Sequence, residues 1–439
     1  MASTQLIRTP SSASNRRTWT WSAWVKRGSL GSANQVLFEG IDGGYPEKIQ
    51  FTSSDRIEYD HDIAGSDYTI YSDQRFKDVN GWYHIVVAKD TTQATETDRI
   101  KIYVNNEQVA MTEEALGYPG QNYEGAINKN VAHYIGGNNG GEYFNGSMSH
   151  VHFCDGSALA PTVFGETDSV TGEWKINTSP SFTPGTNGFT VLKDGNSVTD
   201  SSANSNNFTV STGTLTKTED CPSNVFATIN LLDNFYNGLT ITNGNTSWVS
   251  GSPYSVTRST LGASSGKYYF EMKVVNEGNT DYEFGIVGAA GTSTSSWMGS
   301  SGSYGYSYES NAELRANGTT VDPWGSTYDD GDILGCAFDL DNNKIYFSKN
   351  GSWQESGNPS AGSNGYTIVA AADTPAGAYF VGAGDFSGSS GQSGQFNFGN
   401  GYFGTTAVSS AGSNASNNGI FEYDVPTGYT ALSTKGLNL

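Results

Sequence analysis

The side chains that could do chemistry are few enough to take one by one. Glu58-Tyr-Asp60-His-Asp62 alternates, so a strand there aims three carboxylates at one face, where a general acid and base or a nucleophile would have to sit. All five His (His61, His84, His133, His150 and His152) lie in the first 152 residues, so any imidazole chemistry belongs to the first part of the chain. His150-Val-His152 has the spacing of half a metal site on one strand face, yet no carboxylate or thiol completes it at a recognised distance along the chain. An exposed or interfacial strand is the reading we take. Cys154, Cys221 and Cys336 are widely spaced and odd in number, which fits neither a disulfide framework nor zinc; Cys154 and Cys336 adjoin apolar runs and read as buried thiols. No Ser-His-Asp or Cys-His set has recognisable context.

Oxygen ligands for calcium are more abundant. Asp339-Leu-Asp341-Asn-Asn343 and Tyr328-Asp-Asp-Gly-Asp332 make Asp329, Asp330, Asp332, Asp339 and Asp341 the weak calcium candidates, against a plain turn in which Asp and Asn bond the backbone. No other metal or cofactor is expected. For ligand binding the useful residues are aromatics in irregular loops, since a flat ring stacks on the apolar face of a sugar while Asn, Asp and Gln read its hydroxyls. Trp297, Trp324, Tyr328, Tyr45 and Tyr118 stand in such loops. The competing reading is that each plugs the end of a sandwich or meets another subunit. Trp19, Trp21, Trp24 and Trp82 are core candidates.

The elements that must position these residues are short strands. Thr18–Val25, Tyr83–Ala88, Arg99–Val104, Ala132–Ile135 and Ser149–Cys154 form one group, with Asn105-Asn106 as a turn tolerant of positive φ. Tyr268–Val275, Tyr282–Val287, Tyr304–Tyr308, Asp332–Phe338, Lys344–Ser348 and Ala378–Val381 form a second. In the latter, Phe270, Met272 and Val274 share a face, and Asp339–Asn343 closes a tight hairpin. A short helical turn near Pro161–Phe164 is the one helical candidate. Between the groups, residues 156–261 are rich in Asn, Ser and Thr, and Ser201–Asn207 reads as a hairpin loop joining Gly188–Leu192 to Asn207–Val210. The expectation is an all-β protein: an N-terminal arm at 1–17, a first antiparallel sandwich at 18–155, an ordered connector at 156–261 and a second sandwich at 262–439.

Composition narrows the function classes. With Lys+Arg 23 against Asp+Glu 44 the net charge is −21, which argues against nucleic acid and an anionic membrane surface as partners. Residues 1–165 hold 13 basic and 19 acidic residues, leaving 10 and 25 beyond, so the acidity is concentrated late in the chain. The first 17 residues lack the apolar stretch of a secretory leader and no run reaches about 18 apolar residues, so neither a signal peptide nor membrane insertion is expected.

Two stretches resemble known families. Trp19-Thr-Trp21-Ser-Ala-Trp24-Val, Gly81-Trp-Tyr-His84-Ile-Val-Val87, Ile102–Val109 and Tyr143-Phe-Asn-Gly-Ser147 together resemble the laminin-G or concanavalin A-like jelly rolls. Gly331–Asp341 running into Lys344–Gly351, with Phe396–Gly399 and Gly428–Leu432, resembles a SPRY domain. Asp155–Glu166 and Cys221–Asn230 are similar to segments of predicted virion proteins of marine tailed phages that pair these two domains in this order. The resemblance implies a non-enzymatic virion surface protein, a tail fibre or appendage that adheres to a host receptor or glycan, made in the host cytoplasm and carried on the virion. It implies other virion proteins as partners and a homo-oligomer, trimeric by analogy with fibres. A second reading is a capsid fibre, decoration or tail-assembly protein that binds virion subunits. A third is a polysaccharide-degrading enzyme, because jelly-roll glucanases carry Glu-x-Asp-x-Glu on one strand. Here the last position is Asp62, one methylene short, and the flanks differ, so a solvated strand face is preferred.

Overall fold

The computed structural model describes all residues except 1–2, 32, 64–65, 194, 196, 237, 252–254, 279–281, 289–296, 387–390 and 439. The chain divides into two units, Met1–Lys217 and Thr218–Leu439. Both are β-sandwiches, and among the described residues the helical segments are 3-10 turns of three residues, Pro161–Val163 included.

In the first unit Trp19 and Trp21 alternate with Thr and Ser along Thr18–Arg27, so one face carries indoles and the other carries hydroxyls. That strand sits third in a six-stranded sheet ordered Phe189–Val191, Gly146–Asp155, Thr18–Arg27, Tyr83–Asp90, Ile100–Val104 and Glu107–Gln108. Opposite it lies an eight-stranded sheet ordered Met111–Ala115, Ser66–Ser72, Ile57–Ile63, Tyr45–Phe51, Gln35–Asp42, His133–Ile135, Gln5–Arg8 and Thr209–Thr212. Trp19, Trp21, Ala23 and Val25 meet Phe38, Ile49, Tyr59 and Ile70 in one core. Trp21 stacks on Phe38 at 6.2 Å. Each large aromatic removes about 150–250 Å² from water, so these rings dominate the stability of the unit. Trp24 and Trp82 are buried as well, Trp24 on the opposite face of its strand against His84.

In the second unit Phe270, Met272 and Val274 point into a core with Phe284, Ile286 and Tyr308. A seven-stranded sheet runs Ile229–Tyr236, Ser255–Ala263, Tyr379–Asp385, Tyr282–Val287, Gly305–Glu309, Leu314–Ala316 and Thr319–Val321. Its partner runs Leu239–Thr242, Ser247–Ser250, Ser393–Asn397, Lys267–Asn276, Ile333–Asp339, Lys344–Lys349 and Ser352–Trp353, with Tyr366–Thr367 and Thr430–Ala431 added at the side. The back face of that second sheet is covered too. Tyr269, Ala337, Tyr346, Phe421, Val425 and Tyr429 form a small separate core there.

Several boundaries differ from the sequence expectation. The arm at 1–17 is no arm, since Gln5–Arg8 is a strand between His133–Ile135 and Thr209–Thr212, with Leu6 buried. The connector at 156–261 is not a separate piece; the unit boundary falls at 217/218, and each half contributes strands to its own sandwich. Ser201–Asn207 does not close a hairpin. Val191 pairs with Val151 in one sheet and Val210 with Leu6 in the other. Alternation over three or four residues specifies a strand and leaves its pairing partner open.

Candidate functional site

The sequence-nominated aromatics divide by burial. Trp324 lies edge-on to Tyr308 and Phe347 in the second core, at 5.3 and 5.6 Å. The Tyr328 hydroxyl donates to the carbonyls of Tyr282 and Tyr308, at 2.8 and 2.9 Å. Tyr118 belongs to the first core. These three plug sandwich ends and offer no face to a ligand, which corrects their assignment as binding residues. Tyr45 is exposed at the tip of the Gln35–Phe51 hairpin. Trp297 is half-buried against Phe386, 4.2 Å between ring centres; Ser295 and Ser296 beside it lie outside the described residues.

The calcium candidates are occupied by N–H donors. Asp339 accepts from the backbone N–H groups of Asp341 and Asn342, from the Asn342 amide and from Lys267 Nζ at 2.9 Å. Asp341 accepts from the Gly266 N–H, and Asp330 from the Glu277 N–H. Asp332 holds Lys349, Asn350 and the Asp329 N–H, while Asp329 itself accepts from the Asp330 N–H. A hard cation needs six to eight oxygens. These carboxylates are instead turn caps and ion-pair partners, and among the described residues no group of three or more His, Cys, Asp or Glu is arranged to hold a metal.

The imidazoles serve packing. His150 has φ 50 at a register shift between Ser149 and His152, so the pair does not sit as neighbours on a regular strand face. His152 is buried beneath Phe164 and Phe182, its Nδ1 against Thr190 Oγ1 at 2.9 Å, where the spacing leads us to expect an exposed or interfacial strand. Ser22 Oγ is 2.9 Å from His84 Nε2. Trp174 Nε1–H donates to His84 Nδ1 at 3.0 Å. That bond leaves the proton of a neutral imidazole on Nε2, facing the serine, the wrong tautomer for a general base. Burial drives the His84 pKa down to about 3, so the ring stays neutral.

Glu58, Asp60 and Asp62 do alternate with buried Ile57, Tyr59 and His61. Asp60 pairs with Lys48 at 3.3 Å and accepts from Thr69 Oγ1, and Glu58 accepts from the Gln50 amide. Beside them Glu39 is 1% exposed, one of its oxygens has no partner, and burial pushes its carboxyl up to about 7. A carboxyl raised in the folded state stabilises fully below its unfolded value, and that contribution is lost as pH rises through the folded value. Stability of the first unit should therefore fall between about pH 4.5 and 7, by on the order of 3 kcal/mol from this group. Urea midpoints across that range would flatten in Glu39→Gln; an equal slope in the variant would refute the assignment.

A groove of about 540 Å³ lies in the second unit. Its first wall follows the Lys344–Lys349 strand. Asn350 (φ 48) and Gly351 (φ 77) turn the chain back so that Trp353 pairs with Ser348. Gly351 is required twice over, because a Cβ there would also come within 2.7 Å of Tyr423. The Trp353 indole rests edge-on against Tyr269 and Tyr346, 6.3 and 6.5 Å away, and is half-buried. The chain then turns through Asn358, whose Oδ1 caps the Pro359–Ala361 turn by accepting the Ala361 N–H at 3.1 Å.

The second wall is the 424–427 segment, and a buried carboxylate holds it. Glu271 accepts from the N–H groups of Glu422 and Tyr423, both at 2.9 Å, from Tyr269 OH at 3.0 Å and from the Asn397 amide at 3.2 Å. Burial pushes this carboxyl up to about 7 against the pull of those donors. Ser360 Oγ accepts the Thr427 N–H at 2.9 Å and ties the walls together. Exposed Asp424 accepts the Ser413 N–H at 2.6 Å, which holds its carboxyl below the usual range and keeps it charged. The groove thus offers a half-buried indole, a fixed amide, hydroxyls and one carboxylate. None of its residues was singled out from sequence. The one local signal was the Asn350-Gly351 turn before Trp353, and Asp424 lies 71 residues further on.

Residues 2–163 match the concanavalin A-like lectin/glucanases superfamily, and residues 267–401 match the SPRY domain. Over 90 residues, 20% of this chain, it is 34% identical to Ran-binding protein 9 of Danio rerio and 36% identical to Ran-binding protein 9 of Homo sapiens. Those alignments span only 15% and 12% of the two relatives. Among solved structures, the SPRY domain of human HERC1 is 18% identical, covering 38% of this chain and 96% of that one, with a TM-score of 0.30. The heptameric SAP-like pentraxin of Limulus polyphemus is 14% identical over 36% of this chain and 72% of that one, with a TM-score of 0.28.

Proposed function

We propose that this chain, a concanavalin A-like domain followed by a SPRY domain, is a non-enzymatic adhesion protein. The observation that carries the reading is the groove beside Trp353, a half-buried aromatic with a polar rim at a sheet edge. Domains of carbohydrate- and protein-binding kinds fit that role. The finer proposal is a tailed-phage virion surface protein, on a tail fibre or appendage, that adheres to a host receptor or glycan. Its support is the resemblance of Asp155–Glu166 and Cys221–Asn230 to virion proteins. A homo-oligomer would convert weak single sites into avidity through effective concentration.

The purified chain should bind envelopes of its host cells and compete with adsorption of particles that carry it, and gold labelling should place it on tail appendages. Labelling on the head with no envelope binding would instead make it a decoration protein. Shortened products from host-envelope polysaccharide would establish an enzyme.

A further inference from the structure

The groove beside Trp353 has walls specific enough to name a ligand, resting on the adhesive reading above. We infer that it takes an uncharged hexopyranose unit of a glycan and rejects sulfated, phosphorylated or sialylated chains. A pyranose ring has one apolar C–H face and a rim of hydroxyls. The Trp353 indole supplies the matching flat face. Tyr269 and Tyr346 brace it edge-on, so little side-chain freedom is left to lose on binding.

The rim is planar and polar. With its Oδ1 held by the Ala361 N–H, the Asn358 amide keeps a fixed plane, and its nitrogen is a double donor. Asp424 is a charged acceptor fixed by the Ser413 N–H, whose residue also lines the groove. A double donor and a carboxylate on one groove suit neighbouring hydroxyls, each of which both donates and accepts. The volume of about 540 Å³ falls within the range of about 300–1,000 Å³ of small-ligand sites.

Charge sets the selectivity. Asp424 is the one ionisable group lining the groove among the described residues. The unit around it holds 7 basic and 20 acidic residues, a balance of −13. Sulfate, phosphate and carboxylate groups are bound by Arg and Lys, and here they would meet a carboxylate without a cation. Pro359 and Pro426 also line the groove, but a polyproline peptide is gripped by a row of aromatics, and a single ring lies here.

The test presents the full chain to neutral oligosaccharides of glucose, galactose and mannose, together with sulfated and sialylated counterparts and a proline-rich peptide. At least one neutral sugar should bind, its sulfated form about tenfold more weakly or worse. Trp353→Ala should weaken binding by about tenfold or more. Because Trp353 braces the back-face core, Thr427→Trp is the companion variant: residue 427 is exposed and a large ring there fills the groove. An unchanged unfolding midpoint with lost binding in that variant supports the site. Asp424→Asn should narrow the gap between neutral and sulfated sugars. Binding confined to anionic glycans or to the peptide, no sugar binding, or binding untouched by both variants would overturn the inference. If the chain adheres to envelopes in any of those cases, the adhesive reading survives; if it adheres to none, that reading fails independently.

Discussion

Replacing Lys89 with Met should destabilise the first unit by about 3–5 kcal/mol, although the two side chains are close in length. Lys89 and Glu47 have no exposed side-chain surface, and Lys89 Nζ lies 2.5 Å from Glu47 Oε1. The same oxygen accepts from Tyr59 OH at 2.6 Å, and Oε2 accepts the Ile127 N–H at 2.6 Å. The ammonium also lies over the rings of Trp19, Tyr59 and Tyr123, at 5.5, 5.9 and 5.7 Å. Burial is the largest influence on Glu47 and opposes its charge, yet Lys89, His61 and the Tyr59 hydroxyl together hold the carboxyl below its ordinary range. Removing the ammonium leaves a carboxylate in the interior with two hydrogen bonds and no counter-charge. Adding Glu47→Gln removes that charge while keeping an acceptor for Ile127, so the double variant should regain at least half of the loss. Urea midpoints would settle it: a double variant no more stable than Lys89→Met would mean that lost packing, and not an unpaired charge, causes the effect.

Glu271→Gln should cost the second unit about 2–4 kcal/mol and release the outer wall of the groove. Each carboxylate oxygen of Glu271 accepts two bonds. A glutamine turns one of them into an NH₂ group facing two donors, and each donor left buried without an acceptor costs about 1–3 kcal/mol. Exchange of the Glu422 and Tyr423 amides should accelerate in the variant, which mass spectrometry over 419–427 would detect. Protection equal to wild type would show that the back-face core alone holds the segment. Acid has a milder effect than the substitution, since the carboxyl pushed up to about 7 exchanges one acceptor site for a proton while keeping both oxygens.

The strands were legible because each carries its own period. Trp19 and Trp21, or Phe270 and Met272, announce one buried face within four residues, and both sets are core. The tight Asp339–Asn343 turn was legible for a similar reason, since Asp339 bonds the backbone two and three residues ahead. Cys154 and Cys336, read as buried from their apolar surroundings, are buried. The loop aromatics misled because loop composition says nothing about which way a ring turns. Trp324 and Tyr328 lie in irregular segments and still fill the end of a core whose other residues come from Tyr282, Tyr308 and Phe347.

What the residues determined by themselves, then, is local: strand, turn, buried face and a net acidity that disfavours polyanions. What only the tertiary structure decided is juxtaposition. Gln5–Arg8 became an inner strand because Thr209–Thr212 returned beside it, more than 200 positions later. The Trp353 groove exists because Glu271, in mid-sheet, pins a segment some 150 residues away opposite the Asn350-Gly351 turn. Periodicity is a property of neighbours along the chain, whereas a binding site needs neighbours in space, and those are chosen by how whole sheets bury their second faces.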